Sequence, residues 1–105
     1  MFRYQILVEY VGTNYRGWQI QKKGLTIQGV LQNKISRVLK DKIKIVGSGR
    51  TDAGVHAIAQ SAHFDCKTLI LNKEKFLKSV NHFLKKKMIA VQNINKRNKN
   101  FHARC

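Results

Sequence analysis

The chain has 105 residues, enough for one domain with its own core but few for a two-domain enzyme. Lys and Arg number 21 against five Asp and Glu, so a net charge of +16 accompanies a globular composition that is 43% hydrophobic. This excess positive charge favours a polyanionic partner. Nucleic acid is favoured over a membrane surface because no basic amphipathic helix stands alone.

The cysteines and the apolar runs indicate the compartment. Cys66 and Cys105 are far apart and neither belongs to a CxxC pair, which argues against a zinc site or a disulfide framework and fits a reducing cytoplasm. The apolar runs are too short to span a membrane, and the first residues enter a strand directly, which leaves no room for a signal peptide. We therefore expect a single cytoplasmic domain over residues 1–105 that does not bind a membrane.

Hydrophobic periodicity predicts six elements. In chain order, they are a strand over 2–10, a helix over 27–40, strands over 42–47 and 55–65, a helix over 72–85 and a strand over 88–94, followed by a polar basic tail. The order β-α-β-β-α-β predicts an α+β, ferredoxin-like fold, in which two helices pack on one face of an antiparallel sheet. The other sheet face must then be covered or bind a ligand, although the strands lack the aromatic repeat of an RRM.

The connection over 11–26 is long for a compact domain, and such loops are usually functional or disordered. It carries Tyr15, Arg16 and Trp18, a mixture of aromatic and cationic side chains that suits stacking on bases and pairing with phosphates. An equally open interpretation is that Tyr15 and Trp18 cover an edge of the core.

The stretch over 47–57 has the character of a site. Three of its residues are glycines within eight positions, which permits positive φ angles and close backbone approaches. Arg50 and Asp52 lie inside this constrained turn, between two predicted strands, where a rigid loop could hold a nucleophile. A tight hairpin with a solvated Arg and Asp explains the local pattern equally well.

Residues 49–57 reproduce without a gap the segment Gly-Arg-Thr-Asp-x-Gly-Val-His-Ala, and so this stretch resembles the signature of the tRNA pseudouridine synthase A family. Three further motifs agree in order and spacing. They are Glu9–Gln19, Thr26–Leu31 and Phe101–Arg104. The resemblance therefore extends along the whole chain.

The resemblance implies that uridine is isomerised to pseudouridine in the anticodon stem-loop of tRNA, at tRNA positions 38 to 40, without a metal or an organic cofactor. Asp52 matches the family's nucleophilic aspartate, and Arg50 matches the arginine beside it. Because the target nucleotide must leave the helical stack, the Arg50 guanidinium would fill the vacated space or hold a phosphate while keeping Asp52 ionised. The residues expected to shape the loop are Gly47, Gly49, Thr51 and Gly54.

The histidines have less specific expectations. His102 and Arg104 belong to the matching terminal motif, for which RNA contact and loop anchoring are both plausible. His56 is expected to make a structural hydrogen bond rather than to act in catalysis, and His63 and His82 to be structural or exposed. No two histidines have metal-ligand spacing on one helix face, and Cys66 is expected to be a small buried residue.

The sequence matches only one half of the enzymes it resembles. Family members contain two related α/β halves with the active-site cleft between them, and after the terminal motif they contribute a tyrosine and a later basic residue that this sequence lacks. We therefore expect the N-terminal, aspartate-bearing half of a synthase, completed by homodimerisation or by a separate C-terminal half. The alternative is a truncated, catalytically inactive RNA-binding domain that retains the fold and the basic surface.

Overall fold

The computed structural model describes residues 1–11, 26–47 and 57–103. Its elements are β1 (Phe2–Tyr10), α1 (Ile27–Leu39), β2 (Val46–Gly47), β3 (Ala57–Cys66), α2 (Lys73–Leu84) and β4 (Ile89–Arg97). The antiparallel sheet has the strand order β2-β3-β1-β4. The α+β, ferredoxin-like arrangement predicted from the sequence is therefore confirmed. In the described part of the chain, every helix is too short or too polar to traverse a bilayer.

The central strand β1 has one face in the core and one face outside it. Tyr4, Ile6, Val8 and Tyr10 are buried, as the alternation in the sequence predicts, because successive side chains of a strand point to opposite faces. Their neighbours on β3 and β4 and the apolar stripes of the two helices complete one hydrophobic cluster. The core therefore lies between the sheet and the helices, and the other sheet face carries the odd-numbered residues of β1.

Helix α1 begins and ends through local backbone chemistry. The Thr26 hydroxyl accepts a hydrogen bond from the backbone N–H of Gly29 at 3.2 Å, which confirms Thr26 as the N-cap. The helix ends at Leu39, one residue before the predicted end, because Lys40 adopts a left-handed conformation with φ of 52°.

The predicted strand over 42–47 is mostly wrong, since only Val46 and Gly47 pair with β3. Upstream, Ile43 and Ile45 are buried and alternate as in a strand, but their backbone N–H groups donate to side chains of α1. The acceptors are the Ser36 hydroxyl for Ile43, at 2.9 Å, and the Gln32 side-chain oxygen for Ile45, at 3.0 Å. Helix side chains therefore replace the neighbouring strand as hydrogen-bond partners.

Helix α2 starts at the predicted cap, since the Asn72 side chain accepts from the backbone N–H of Lys75 at 3.0 Å. After the helix, Lys85–Lys87 form a short 3₁₀ turn. The outermost strand β4 is tied to α2 by Asn81, whose side-chain amide accepts from Val91 N–H at 2.7 Å and donates to Val91 C=O at 3.0 Å. The backbone N–H and C=O of Val91 are thereby satisfied.

Strand β4 is longer than predicted. The expected strand ended at residue 94, with a polar tail from 95 onward, whereas Asn95, Lys96 and Arg97 all pair with β1. Arg97 lies opposite Arg3 at the far end of the ladder. Asn95 and Arg97 are accommodated because they lie on the sheet face outside the core, and Lys96, on the other face near the end of the strand, is exposed.

Candidate functional site

The signature segment is attached to the sheet at two defined points. The chain enters it from Gly47, which pairs with Ala62 of β3, and leaves it at Ala57, which pairs with Tyr10 of β1. Of the residues predicted to shape or act in this loop, Gly47 is the one that the structure describes. The others lie outside the described residues, as do the RNA-contact candidates of the first connection and one of the two in the terminal motif: Gly49, Arg50, Thr51, Asp52, Gly54, His56, Tyr15, Arg16, Trp18 and Arg104. Their roles stay predictions.

Two irregularities in strand pairing mark this end of the sheet. The pairing of β1 with β3 shifts register between Val8 and Tyr10, close to the point where the signature segment rejoins the sheet at Ala57. The pairing of β1 with β4 shifts between Leu7 and Val8, where Gln92 is the additional residue. Bulges of this kind bend and twist strands and are frequent beside active sites.

The sheet face away from the helices is polar, and its side chains bond to one another across strands. The Gln5 amide donates to the Ser61 hydroxyl at 2.9 Å, and the Arg97 guanidinium donates to the Gln5 side-chain oxygen at 2.9 Å. We call this surface, which carries the odd-numbered residues of β1 and their partners on β3 and β4, the open face. The terminal segment Asn98–Ala103 folds back against it.

Arg3 makes four hydrogen bonds on the open face. Its guanidinium makes a two-pronged ion pair with the Asp65 carboxylate, at 2.8 and 2.9 Å. The same group donates to the backbone carbonyls of Lys99, at 2.9 Å, and Phe101, at 2.6 Å. The hydrogen bond from Arg3 lowers the pKa of Asp65, more than its partial burial raises it. The pair therefore stays ionised and holds the terminal segment by its backbone.

His63 lies beside this ion pair and is only 4% exposed. Its Nδ1 accepts a hydrogen bond from the backbone N–H of Ala103 at 3.1 Å. Burial is the main cause that lowers the pKa of His63, and the positive charge of Arg3 lowers it further. A neutral ring can accept at Nδ1, whereas imidazolium cannot. Of the two expectations for His63, structural or exposed, the structural one is confirmed.

The terminal motif makes ring contacts with the same histidine. The His102 ring packs edge-on against His63, with centroids 4.9 Å apart, and the Phe101 ring does so at 6.1 Å. The guanidinium of Arg97 lies 5.6 Å from the centroid of the Phe101 ring. His102 is thus brought to the open face, while its contact with RNA stays a prediction.

Arg3 and Asp65 were not predicted from the sequence as functional candidates. They are 62 residues apart, and their alignment follows from the pairing register of β1 with β3. The sequence did contain one signal, the alternation along each strand. Each of the two charged residues alternates with apolar residues, so its side chain points away from the core. Cys66, one residue further, has the opposite parity and is buried as expected, and burial raises the pKa of its thiol.

A groove of about 640 Å³ opens between α2 and the start of β4. Its lining combines apolar side chains, including Val11 and Met88, with Lys78 and Lys85 and with the carboxylate of Glu9. Asn81 also lines the groove, and its side-chain amide is bonded to the backbone of Val91.

Comparison with known proteins decides the family. A family model described as tRNA pseudouridine synthase matches residues 6–104. The chain belongs to the tRNA pseudouridine synthase family. The match includes the whole signature over 49–57 and extends from β1 into the terminal motif.

Curated relatives in this family are considerably longer than the chain. It is 62% identical over 104 residues to tRNA pseudouridine synthase A of Pelagibacter ubique (strain HTCC1062), which covers 99% of this chain and 42% of the relative. It is 45% identical over 93 residues to tRNA pseudouridine synthase A of Orientia tsutsugamushi, in both strains Boryong and Ikeda. This alignment covers 89% of this chain and 32% of each relative. The chain therefore spans less than half the length of these pseudouridine synthases.

Proposed function

We propose that this chain is the N-terminal, aspartate-bearing half of a tRNA pseudouridine synthase that isomerises uridine in the anticodon stem-loop, at tRNA positions 38 to 40. The observation that carries the proposal is the uninterrupted signature over 49–57 inside the family match. The frame around the signature supports it, because Gly47, paired with Ala62, and Ala57, paired with Tyr10, attach both ends of the segment to the paired sheet.

The proposed chemistry requires an ionised carboxylate and no redox partner. An ordinary aspartate, with a pKa of about 3.9, is ionised at neutral pH, and Asp52 would attack the nucleotide as the nucleophile. The bond from uracil N1 to the ribose breaks, the base rotates, and a bond forms from C5 to the same ribose carbon. The hydrogen on C5 leaves as a proton and N1 gains one, so that atoms and electrons balance.

The proposed RNA contacts combine cations with flat side chains. Arg50 would occupy the space left by the extruded nucleotide or hold its phosphate, because a guanidinium is planar and permanently charged. Tyr15, Arg16 and Trp18 would stack on bases or pair with phosphates. The net charge of +16 supports this proposal, since it attracts a polyanion over distances longer than any single contact.

The proposed site is shared with a second domain. The curated relatives contain more than twice the length of chain that matches here. We propose that Asp52 acts against a C-terminal half or against a second copy in a homodimer. A sedimentation or light-scattering measurement of the chain, alone and with an anticodon stem-loop RNA, distinguishes these arrangements.

Tritium release tests the proposed reaction. With tRNA labelled at C5 of uridine, each turnover frees one C5 hydrogen, so radioactivity in the water reports turnover directly. The assay uses the 105-residue chain at high concentration, with Asp52→Ala as the test variant. We expect release from the original chain and none from Asp52→Ala, with tRNA affinity largely unchanged.

The matched control is Asp41→Asn, because it removes a carboxylate elsewhere while keeping an oxygen that can accept from the backbone N–H of Lys67. It should release tritium like the original chain. Equal release from Asp52→Ala and the original chain would refute the assignment of the nucleophile. No release from any of them, with tRNA still bound, would favour the alternative of an RNA-binding domain without a complete site.

A further inference from the structure

The terminal segment is held on the open face at two points. After β4 the chain turns back, closed by a hydrogen bond from Phe101 N–H to Asn98 C=O at 2.9 Å. Arg3 then holds the carbonyls of Lys99 and Phe101, and His63 holds the N–H of Ala103. We call Arg3 and His63 together the clamp.

We propose that the clamp positions Phe101–Ala103 on the open face so that His102 contacts bound RNA, and that neither Arg3 nor His63 takes part in the chemical step. The proposal rests on the proposed function, because it names two positioning residues for the RNA of that same site. It adds residues from β1 and β3 to a site whose sequence signature lies elsewhere.

The first part of the clamp depends on the shape of arginine. Asp65 takes up one edge of the guanidinium through two hydrogen bonds, which fixes its plane and leaves Nη1 directed at both carbonyls. A lysine has the same charge, but its single nitrogen cannot make this planar set of contacts. The clamp should therefore respond to a change that preserves charge.

The second part depends on the protonation state of histidine. The groups that face His63 are Arg3 of β1, Asp65 of β3, and His102 of the terminal segment. A neutral ring with its proton on Nε2 leaves Nδ1 free to accept from Ala103 N–H, which the observed bond requires. Burial and the charge of Arg3 favour this neutral form because both lower the pKa of His63.

The clamp lies next to the point where the chain leaves β2 and continues toward the signature segment. His63 is the direct register partner of Val46, and the next residue of β2, Gly47, is two residues before Gly49, where that segment begins. Ala103 of the terminal motif bonds to His63, and Gly47 pairs with Ala62, the residue before His63 on β3. This proximity links a hydrogen bond at Ala103 to the proposed RNA site.

Amide hydrogen exchange at Ala103, followed by NMR on the 105-residue chain, tests the clamp without any activity. His63→Leu removes the acceptor and Arg3→Lys removes the planar contacts, and neither change alters the charge at neutral pH. Loss of the hydrogen bond to His63 should speed Ala103 exchange by about fivefold in His63→Leu, from a net contribution near 1 kcal/mol. Arg3→Lys should also speed it, because the carbonyls of Lys99 and Phe101 lose their donor. His63→Asn is the matched control, since its side-chain oxygen can take the place of Nδ1 and should preserve protection.

Fluorescence anisotropy with a labelled anticodon stem-loop RNA tests the positioning role. His63→Leu and Arg3→Lys should weaken RNA binding severalfold, and His63→Asn should bind like the original chain. Unchanged exchange in His63→Leu would overturn the clamp, and faster exchange with unchanged RNA affinity would overturn its role in positioning. Absence of tritium release from the original chain would count against the proposed function alone.

The original chain provides a second measurement if a variant does not fold. The amide signal of Ala103 should shift with pH together with the ring signals of His63, with a midpoint below the ordinary histidine value, because burial and Arg3 lower the pKa of His63. An Ala103 signal that does not follow the His63 titration would overturn the clamp.

Discussion

The ion pair between Arg3 and Asp65 joins β1 to β3 and also contacts the terminal segment through Arg3. Its side chains are 20% and 39% exposed, so water screens part of the attraction. Its stability should therefore come from geometry, two parallel hydrogen bonds and two carbonyl contacts, more than from charge alone.

Asp65→Asn should lower the free energy of unfolding by about 1 kcal/mol at neutral pH, the upper end for partly exposed pairs. The folded-state pKa of Asp65 is lowered by the hydrogen bond from Arg3. The contribution of Asp65 is therefore complete above its unfolded pKa of about 3.9 and is lost as the pH falls through the lower folded value. Urea unfolding of both chains across this pH range measures the difference.

A double-mutant cycle with Arg3→Met is the control for this prediction. In the Arg3→Met background, Asp65→Asn should cost less, since the partner of the carboxylate is gone. An Asp65→Asn effect that is equally large at neutral pH and at the acid end would contradict the prediction.

At the scale of elements, the termination of α1 offers a stabilising change. Lys40 has φ of 52° and ψ of 42°, a left-handed conformation that costs free energy for any residue with a Cβ. Lys40→Gly should raise the free energy of unfolding by about 0.5–1 kcal/mol, partly offset by loss of a cation at the helix C-terminus. Thermal unfolding measures the effect.

Lys40→Ala is the matched control, because it loses the same charge and keeps the Cβ. It should give no gain. If Lys40→Gly and Lys40→Ala change the free energy of unfolding equally, the left-handed backbone of Lys40 is not the cause of the change.

At the scale of elements, the contact between α2 and β4 through Asn81 is a second feature that contributes to stability. Asn81→Ala should cost about 2 kcal/mol, because two hydrogen bonds to the buried Val91 are lost at about 1 kcal/mol each. Gln92→Ala removes an exposed side chain that bonds only to Glu9 among its described contacts, and should cost less than about 0.5 kcal/mol. Equal costs in urea unfolding would refute the role of Asn81.

The elements show how far the sequence predicts the fold. The boundaries of β1, α1 and α2 follow from periodicity and caps, which are local properties. The region over 42–47 could not be predicted, because Gln32 and Ser36 supply hydrogen bonds that alternation alone assigns to a strand. The extension of β4 was missed for a related reason, since pairing with β1 overrides the polarity of residues 95–97.

The candidate site also has one part that the sequence predicts and one part that it does not. The signature over 49–57 is contiguous, so the sequence alone indicates the proposed nucleophile. The clamp depends on residues brought together by strand register and by the return of the terminal segment, and neither is visible in the sequence before the sheet is built. The sequence signal for the clamp was limited to the alternation that places Arg3 and Asp65 on the outward-facing side of their strands.

At the scale of the whole molecule, the net charge of +16 predicts how the proposed RNA binding responds to salt. If about six phosphates are neutralised, affinity should fall about a thousandfold between about 50 and 200 mM salt, because bound counterions are released on binding. The slope of log affinity against log salt measures the number of phosphates. A slope near zero would contradict an electrostatic contribution.

The 3₁₀ turn at Lys85–Lys87 is a cationic surface suited to a phosphate contact. Lys86→Gln should reduce the salt slope by about one phosphate if Lys86 contacts the backbone, and Lys86→Arg should leave the slope unchanged. Equal slopes for all three chains would place the phosphate contacts elsewhere on the molecule.

The hydrogen bonds of Asn81 have a further consequence for self-association. An outer strand of nine residues such as β4 exposes a row of backbone groups that could recruit another strand and start an aggregate. Here the Asn81 amide bonds to the backbone N–H and C=O of Val91, and Gln92 interrupts the regular pairing with β1. Lys96 and Arg97 place like charges at the far end of the strand. Loss of the Asn81 amide should therefore expose the chain to fibril growth as well as to unfolding.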